Sequence, residues 1–469
     1  MNDISTRVTQ EIAAFASKIQ FRSYPSEAVR IGKRCILDGL GLILAGSKQK
    51  CTEIVRRFGL HYSQAAESTV YGKNPAKTGT IFAALVNGTA GHAMDWDDTQ
   101  LSSAPDRVFG LLTHPTIPPL SACLALSEKL GGVSGREFLN AFLAGFEVEC
   151  KIAEAINPDH YSKGFHSSGT IGVFAACIAA GKLLGLDEKR LRHAIGISSS
   201  MSAGIRVNFG TMVKPLHVGR ASENGVTAAI LAADGFEANP DALDGQWGYF
   251  QVIGGGFDIK RISGVLGNPY SIITPGVSIK PYPCGVLTHP SMDAMLELVV
   301  ENDVKPEDIK EGVLYAASNI LNPIRYTVAH NELEAKFCMP FLLSAIALSR
   351  KAGVKEFTDA YVNSQQVQGM MKRFRTEQDP EIEAKGYQKI LSRVELRLRD
   401  GLKLVKQAQE AYRGGPANPL SDEALRAKFT DCTEDIIALD SRQRIFDIVY
   451  SLEKLRDMEK LFALLRASE

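Results

Sequence analysis

The segment Asp95-Trp96-Asp97-Asp98-Thr99 sets three carboxylates within four residues. At that spacing they repel one another unless a metal, a cation or a proton is shared among them. His166 stands in a small polar bend, Lys163-Gly-Phe-His-Ser-Ser-Gly-Thr170, just ahead of an apolar stretch from Ile171 to Leu184 that reads as a helix. A helix N-terminus presents backbone N–H groups to an anion, and an imidazole there moves a proton near neutral pH. His160 lies six residues earlier, which is not metal-ligand spacing on a helix. Two further segments supply cations. Lys214 lies among glycine and proline in Asn208-Phe-Gly-Thr-Met-Val-Lys-Pro-Leu-His-Val-Gly-Arg220, ahead of a small-residue helix expected to begin around Ala221. Lys280 opens Lys280-Pro-Tyr-Pro-Cys-Gly-Val-Leu-Thr-His289, a run rich in turn formers before another helix. A cation in such a setting suits a ligand that carries a carboxylate. Cys284 would need an adjacent base to act as a nucleophile, and a buried structural thiol is the plainer reading.

Each of these residues alone has an ordinary explanation: a solvated acidic turn, a capping or core histidine, a surface lysine. Together they form a kit for proton abstraction next to a carboxylate. Lysines hold the substrate and the developing enediolate charge, and His or Asp moves the proton. That chemistry requires no cofactor, and no metal-ligand set is expected. The acidic string also fits Asp-x-Asp-x-Thr, the aspartyl-nucleophile signature of haloacid-dehalogenase-type phosphatases. That signature follows an apolar parallel strand, which Asn87-Gly-Thr-Ala-Gly-His92 does not resemble. A non-catalytic binding protein is a third possibility, because fold alone does not establish turnover.

The elements that must position these groups are mostly helical over the first 260 residues. Ser134-x-x-Glu137 is a capping box ahead of an i, i+3, i+4, i+7 stripe at Leu139, Phe142, Leu143 and Phe146. Ser26 is expected to cap a helix running to about Gly46, apolar on most sides and therefore central. Of 41 glycines only seven follow residue 300, which places close helix and ligand approach in the earlier part of the chain. Composition changes near residue 265. Val394, Leu396 and Leu398 alternate with charged residues before Asp400-Gly401, a hairpin signature, and Gly312 to Ser318 reads as a weaker strand. Helical patterns at Ser291 to Val300 and Phe337 to Arg350 flank that strand, which implies a small α+β domain. Helix returns after Gly414-Gly415-Pro416, with Ser421 as a cap and one terminal amphipathic helix marked by Ile445, Ile448, Leu452, Leu455 and Met458.

Composition narrows the partners. Lys plus Arg and Asp plus Glu are both 53, so the net charge is zero and neither nucleic acid nor an anionic membrane is an expected partner. Eight cysteines contain no Cys-x-x-Cys pair, and no secretory leader opens the chain, so a reduced cytoplasmic setting is the expectation. Met1 to Phe21 reads as a polar helix. Val108 to Ser127 lacks charge but contains His114, Pro115, Pro118 and Pro119, so it reads as buried and not as a membrane span.

In order along nearly the whole chain, six motifs resemble the MmgE/PrpD family, which includes 2-methylcitrate dehydratases, cis-aconitate decarboxylases and iminodisuccinate epimerases. They are Asn87-Gly with His92-Ala-Met-Asp-Trp-Asp-Asp-Thr99, His114-Pro, Gly164-Phe-His-Ser-Ser-Gly-Thr170, Lys214-Pro-Leu-His-Val-Gly, Lys280-Pro-Tyr-Pro-Cys with Thr288-His289, and Asn418-Pro-Leu-Ser421. The resemblance implies a mainly α protein. A large all-helical domain would be formed by both chain ends (1–265 and 408–469), with a smaller inserted α+β lid domain (266–407) and assembly as a homodimer. It carries site roles to Asp95, Thr99, His114, His166, Lys214 and Lys280. His166 is then the general acid/base, Asp95 a second proton-transfer group, Lys214 and Lys280 carboxylate ligands, and Thr99 and His114 substrate-orienting. Arg206 joins them as a substrate-binding candidate, while Arg220 and Glu223 are nearby charges without a role. The implied activity is a cofactor-independent lyase dehydrating a small hydroxylated di- or tricarboxylate such as 2-methylcitrate. Epimerisation of an iminodisuccinate-type dicarboxylate and cis-aconitate-type decarboxylation are the alternatives. Three features bear on that choice. Fourteen residues, Gln100 to Thr113, separate Thr99 from His114, a longer spacing than is typical of the family. Gly285 follows Cys284, where animal cis-aconitate decarboxylases carry histidine. Asn208-Phe-Gly-Thr-Met with Lys214-Pro is especially similar to the epimerase pattern.

Overall fold

The computed structural model of the chain describes residues 7–101, 111–386 and 389–466. Residues 102–110 of the Gln100–Thr113 segment lie outside the described residues, as do 1–6 and the first residues of the Val108 to Ser127 stretch. The protein is mainly helical with small sheets. Its described residues fall into two compact units, one made of 7–101, 112–277 and 423–466 and the other of 111 and 278–422.

The first unit is helical because its segments are apolar on most sides. Helices Thr80–Ala93, Ile117–Leu130 and Gly172–Leu183 are buried along nearly their whole length. Asn87 to His92 therefore belongs to a helix, and the strand that a phosphatase signature needs is absent. The helix Val213–Ala233 packs against both Thr80–Ala93 and Gly172–Leu183. Its close approach depends on glycine. A Cβ on Gly219 would strike Thr89 Oγ1 and the Leu85 carbonyl, and one on Gly225 would lie 2.6 Å from the Val173 carbonyl and the Cys177 nitrogen. With Gly88 facing Gly219 and His92 facing Lys214, the first turn of one helix meets the last turn of its neighbour. That antiparallel contact positions the chemistry.

Three local expectations are corrected. The Lys214 helix starts at Val213, not near Ala221, because Pro215 falls in its first turn, where a missing N–H removes no helical bond. Ser26 is the first helical residue and makes no side-chain cap, with Pro25 preceding it. The single terminal helix is instead two, Leu439–Tyr450 and Glu459–Arg466, separated by a 3-10 turn at Leu452–Lys454. There the Met458 nitrogen donates to the Val133 carbonyl (2.8 Å), so bonding to another segment replaces helix continuation. The Ser134–Glu137 capping box forms as expected, with Ser134 Oγ accepting from the Glu137 nitrogen and the Ser134 nitrogen donating to the Glu137 carboxylate. From the helix Asp422–Thr433, Lys428 pairs with Asp38 (2.7 Å) and donates to the Trp96 carbonyl (2.9 Å). The late segment thus braces the acidic loop.

The second unit holds a four-stranded sheet in the order Phe374–Gln378, Ile309–Ala316, Ser392–Leu398, Lys403–Gln407. The first pair is parallel and the others antiparallel. Val394, Leu396 and Leu398 are buried while Arg397 between them is exposed, and Gly401 takes φ 94° in the hairpin turn. Helices His289–Glu301 and Met339–Ser349 pack on this sheet. All eight cysteines are buried, and none is joined in a disulfide. No helix among the described residues is long and apolar enough to cross a membrane.

Replacing Gly219 by Ala is expected to destabilise the protein by about 1–3 kcal/mol, the cost of overpacking a tight contact. Urea titration checks this as a lower midpoint at unchanged slope.

Candidate active site

The last turn of helix Thr80–Ala93 presents His92, fully buried. Its Nδ1 lies 2.9 and 2.8 Å from the two Asp97 oxygens, and its Nε2 lies 2.9 Å from Lys214 Nζ. A carboxylate accepts only, so His92 carries its proton on Nδ1 and turns the Nε2 lone pair to the ammonium. Burial and the Lys214 charge lower the His92 pKa against the opposing pull of Asp97, which keeps the ring neutral. Lys214 also donates to Asp95 Oδ1 at 3.0 Å. Asp95 reaches that position through a left-handed backbone (φ 53°), a conformation that Asp tolerates better than most residues.

Asp98 and Thr99 hold His114. His114 Nδ1 lies 2.8 Å from the Asp98 carbonyl and 3.1 Å from Thr99 Oγ1, and its backbone N–H donates to Ser168 Oγ at 3.1 Å. The Asp98 carboxylate accepts from the Thr116 nitrogen (3.2 Å) and hydroxyl (2.7 Å). Burial nevertheless pushes its pKa up to about 7, with the nearby charges of Asp97 and Asp38 adding to the rise.

His166 precedes the short helix Ser167–Thr170, and its carbonyl accepts from the Gly169 and Thr170 nitrogens. The side chain is 2% exposed. Its Nδ1 lies 3.1 Å from His217 Nδ1, while its Nε2 is buried and has no hydrogen-bond partner. The ring lies 5.5 Å from His92, 6.4 Å from His114 and edge-on to Phe209 at 5.0 Å. Burial first, then the charge of Lys214 and the neighbouring imidazoles, holds the His166 pKa well below 6.5. The ring is thus a neutral imidazole at neutral pH, with one buried nitrogen available. Ligand atoms of His92, His114 and His166 lie within 4.8 Å of one another, a spacing that suits a cation, and the cation facing His92 is the Lys214 ammonium.

The structure therefore gathers Asp95, Thr99, His114, His166 and Lys214 around His92. Lys280 belongs to the second unit, where it is 1% exposed. Arg206 stacks on the Tyr161 ring at 3.8 Å, donates to the Tyr161 carbonyl at 2.9 Å and shares Phe209 with Lys214 as an aromatic neighbour. Arg220 pairs with Glu223, one turn apart on their helix. His160 is structural, bonded to the Ile253 carbonyl and the Thr170 hydroxyl, and Cys284 lies 3.2 Å from Thr288 Oγ1. Sequence reasoning assigned no role to His92, Asp97 or His217. Helical spacing carried the signal for both histidines. His92 precedes Asp95 by three residues at a helix end, and His217 follows Lys214 by three on the next helix.

The raised Asp98 pKa has a definite sign. Between 3.8 and about 7 the folded protein holds a proton that the unfolded chain has lost, so folding stability declines as pH rises through that window. Asp98→Asn keeps one acceptor oxygen for Thr116 and does not titrate. Urea unfolding from pH 5 to 8 is expected to show wild type losing stability relative to this variant, by up to about 1.4 kcal/mol per pH unit below 7.

Comparison with known proteins gives the same direction. Residues 10–262 match the MmgE/PrpD N-terminal domain and residues 282–454 the MmgE/PrpD C-terminal domain. Human cis-aconitate decarboxylase is 27% identical over 467 residues, covering 98% of this chain and 94% of the relative. The mouse enzyme is 27% identical over 468 residues (98% and 93%), and that of Aspergillus terreus is 25% identical over 487 residues (98% and 96%). With a domain match to each of its two parts and relatives aligned along almost its full length, the chain belongs to the MmgE/PrpD family.

Proposed function

We propose that this protein is a lyase acting on a small di- or tricarboxylate through proton transfer at the carbon next to a carboxylate, with His166 as the group that moves the proton. The observation that carries the reading is the His166 Nε2, buried and unpartnered on a neutral ring whose pKa is held down by burial and, next to it, by the Lys214 charge. A substrate that brings negative charge to Lys214 offsets that charge and so raises the proton affinity of His166. The base thus strengthens when substrate is bound.

In the first reading the substrate is hydroxylated, as 2-methylcitrate is. His166 Nε2 takes the proton, the electron pair moves into the carboxylate as an enediolate held by the ammonium, and hydroxide leaves the neighbouring carbon to give an alkene. The relatives, named as cis-aconitate decarboxylases, support a second reading in which the carbon–carboxylate bond breaks, CO2 leaves, and the electron pair left on carbon takes a proton carried on His166 Nε2, which the ring regains from water. Epimerisation uses the same abstraction with return to the opposite face. Asp95 and His92 hold Lys214, His114 and Thr99 orient the substrate, and Arg206 is an added carboxylate ligand. Lys280 is proposed as a carboxylate ligand on the strength of its motif alone. None of these steps calls for a cofactor.

A panel of carboxylates assayed in deuterium oxide with NMR detection separates the three. An alkene from 2-methylcitrate supports dehydration, CO2 from cis-aconitate supports decarboxylation, and deuterium on the carbon without a new product supports epimerisation. Absence of turnover and exchange across the panel overturns the proposal. On the active substrate, His166→Gln is expected to lower kcat by about 10²–10⁴-fold, the usual worth of a positioned acid/base. Asp97→Asn, which weakens the charged bond that fixes the His92 tautomer, is expected to lower kcat/KM by about 10- to 100-fold with the fold intact by circular dichroism.

A further inference from the structure

We infer that His217 relays protons between the buried His166 and solvent, so that the two imidazoles act as one proton-transfer unit; this rests on the reading of His166 as the group that moves the substrate proton. The geometry is specific. Two Nδ1 atoms 3.1 Å apart bond only if one ring donates and the other accepts, so a single proton lies between them. When that proton sits on His166 Nδ1, His166 Nε2 holds a lone pair and is a base. When it sits on His217 Nδ1, a neutral His166 carries its proton on Nε2 and is an acid. Moving one proton across the contact therefore switches the role of the buried nitrogen.

The placement of the second ring suits the task. His166 is buried, whereas His217 is partly exposed. His217 follows Lys214 by one turn on the helix Val213–Ala233, which fixes it relative to the ammonium. Space for the ring is made by two glycines. A Cβ on Gly169 would lie 2.9 Å from His217 Cβ, and one on Gly204 would lie 3.4 Å from His217 Nδ1. The Gly204 carbonyl also accepts from the His166 backbone nitrogen at 3.1 Å, so one strip of chain carries both rings' surroundings. The charged and titratable neighbours that bear on the two rings are Lys214, His92 and His114. Burial first, then His92 and Lys214, lower the His217 pKa to about 4, which disfavours a second full charge on the unit.

The transfer balances without any co-reactant besides water. A substrate proton arrives at His166 Nε2, the Nδ1 proton crosses to His217 Nδ1, and the proton on His217 Nε2 leaves to water. Both rings end neutral with their tautomers exchanged. The reverse run resets them and delivers a solvent proton to the substrate site. The abstracted proton therefore exchanges with solvent before it is returned.

The test is His217→Asn beside wild type and His166→Gln, with 2-methylcitrate and cis-aconitate as probes in deuterium oxide. Expected is at least a tenfold slower entry of deuterium at the reacting carbon in His217→Asn, recovering as free imidazole is added. Unchanged deuterium entry, or a loss that imidazole does not restore, overturns the relay. Full activity in His166→Gln sinks the parent reading instead, whereas an inactive His166→Gln beside a His217→Asn with wild-type exchange sinks the relay alone. A substrate-free measurement keeps the proposal open to refutation if neither probe reacts. 15N-histidine spectra are expected to show one proton common to the two Nδ1 atoms, and two Nδ1 atoms with no common proton overturn it.

Discussion

A buried ammonium organises this protein. Lys214 is 6% exposed and lies between the Asp95 carboxylate and the His92 ring. A charge removed from water is costly unless it is paired and hydrogen-bonded, and breaking such a pair costs about 3–5 kcal/mol. Each neighbour of Lys214 is constrained by that requirement. Asp95 must turn back on a left-handed backbone to reach it, and His92 must present a lone pair, which Asp97 secures by accepting from the opposite nitrogen. Burial first, and then the same ammonium, keep His166 neutral. The charge adds to burial in holding both facing imidazoles unprotonated.

Packing puts the charge where it is. Helices Thr80–Ala93 and Val213–Ala233 meet so closely that glycine is required at their contact, and the antiparallel arrangement joins the end carrying His92 to the start carrying Lys214. Around them, Lys428 ties the Trp96 carbonyl to Asp38, so a segment more than 300 residues distant in sequence restrains the acidic loop. Asp98 is the weak point in this arrangement, a buried carboxyl with a pKa of about 7 next to two other acids. Its bonds to Thr116 anchor the loop, and the Asp98 carbonyl orients His114. Burial is the larger part of that cost, and the neighbouring acids add to it.

Much of this was legible. The capping box at Ser134, the hairpin at Asp400-Gly401 and the burial pattern of Val394, Leu396 and Leu398 follow from local rules, in which a few neighbouring residues decide the outcome. So did the clustering of Asp95, Thr99, His114, His166 and Lys214, because ordered motifs in a chain of this length resemble a family closely. Misread features depend on distant partners. The terminal helix breaks at Leu452–Lys454, where Met458 bonds to Val133, and no periodicity within the segment contains that information. The Lys214 helix was expected to begin too late because Pro215 reads as a breaker when its first-turn position is unknown.

Residue types and order along the chain determined the family, the mainly helical class, and which lysines, acids and histidines are candidates for a site. These are properties of motifs and composition, which survive without coordinates. Only the tertiary structure decided protonation and partnership: that His92 is a neutral acceptor for Lys214, that burial raises the Asp98 pKa to about 7, and that His166 and His217 face each other Nδ1 to Nδ1 at 3.1 Å. The physical reason is that a proton's position depends on burial and on charges a few ångströms away, and those distances are set by helices whose contact residues are far apart in sequence.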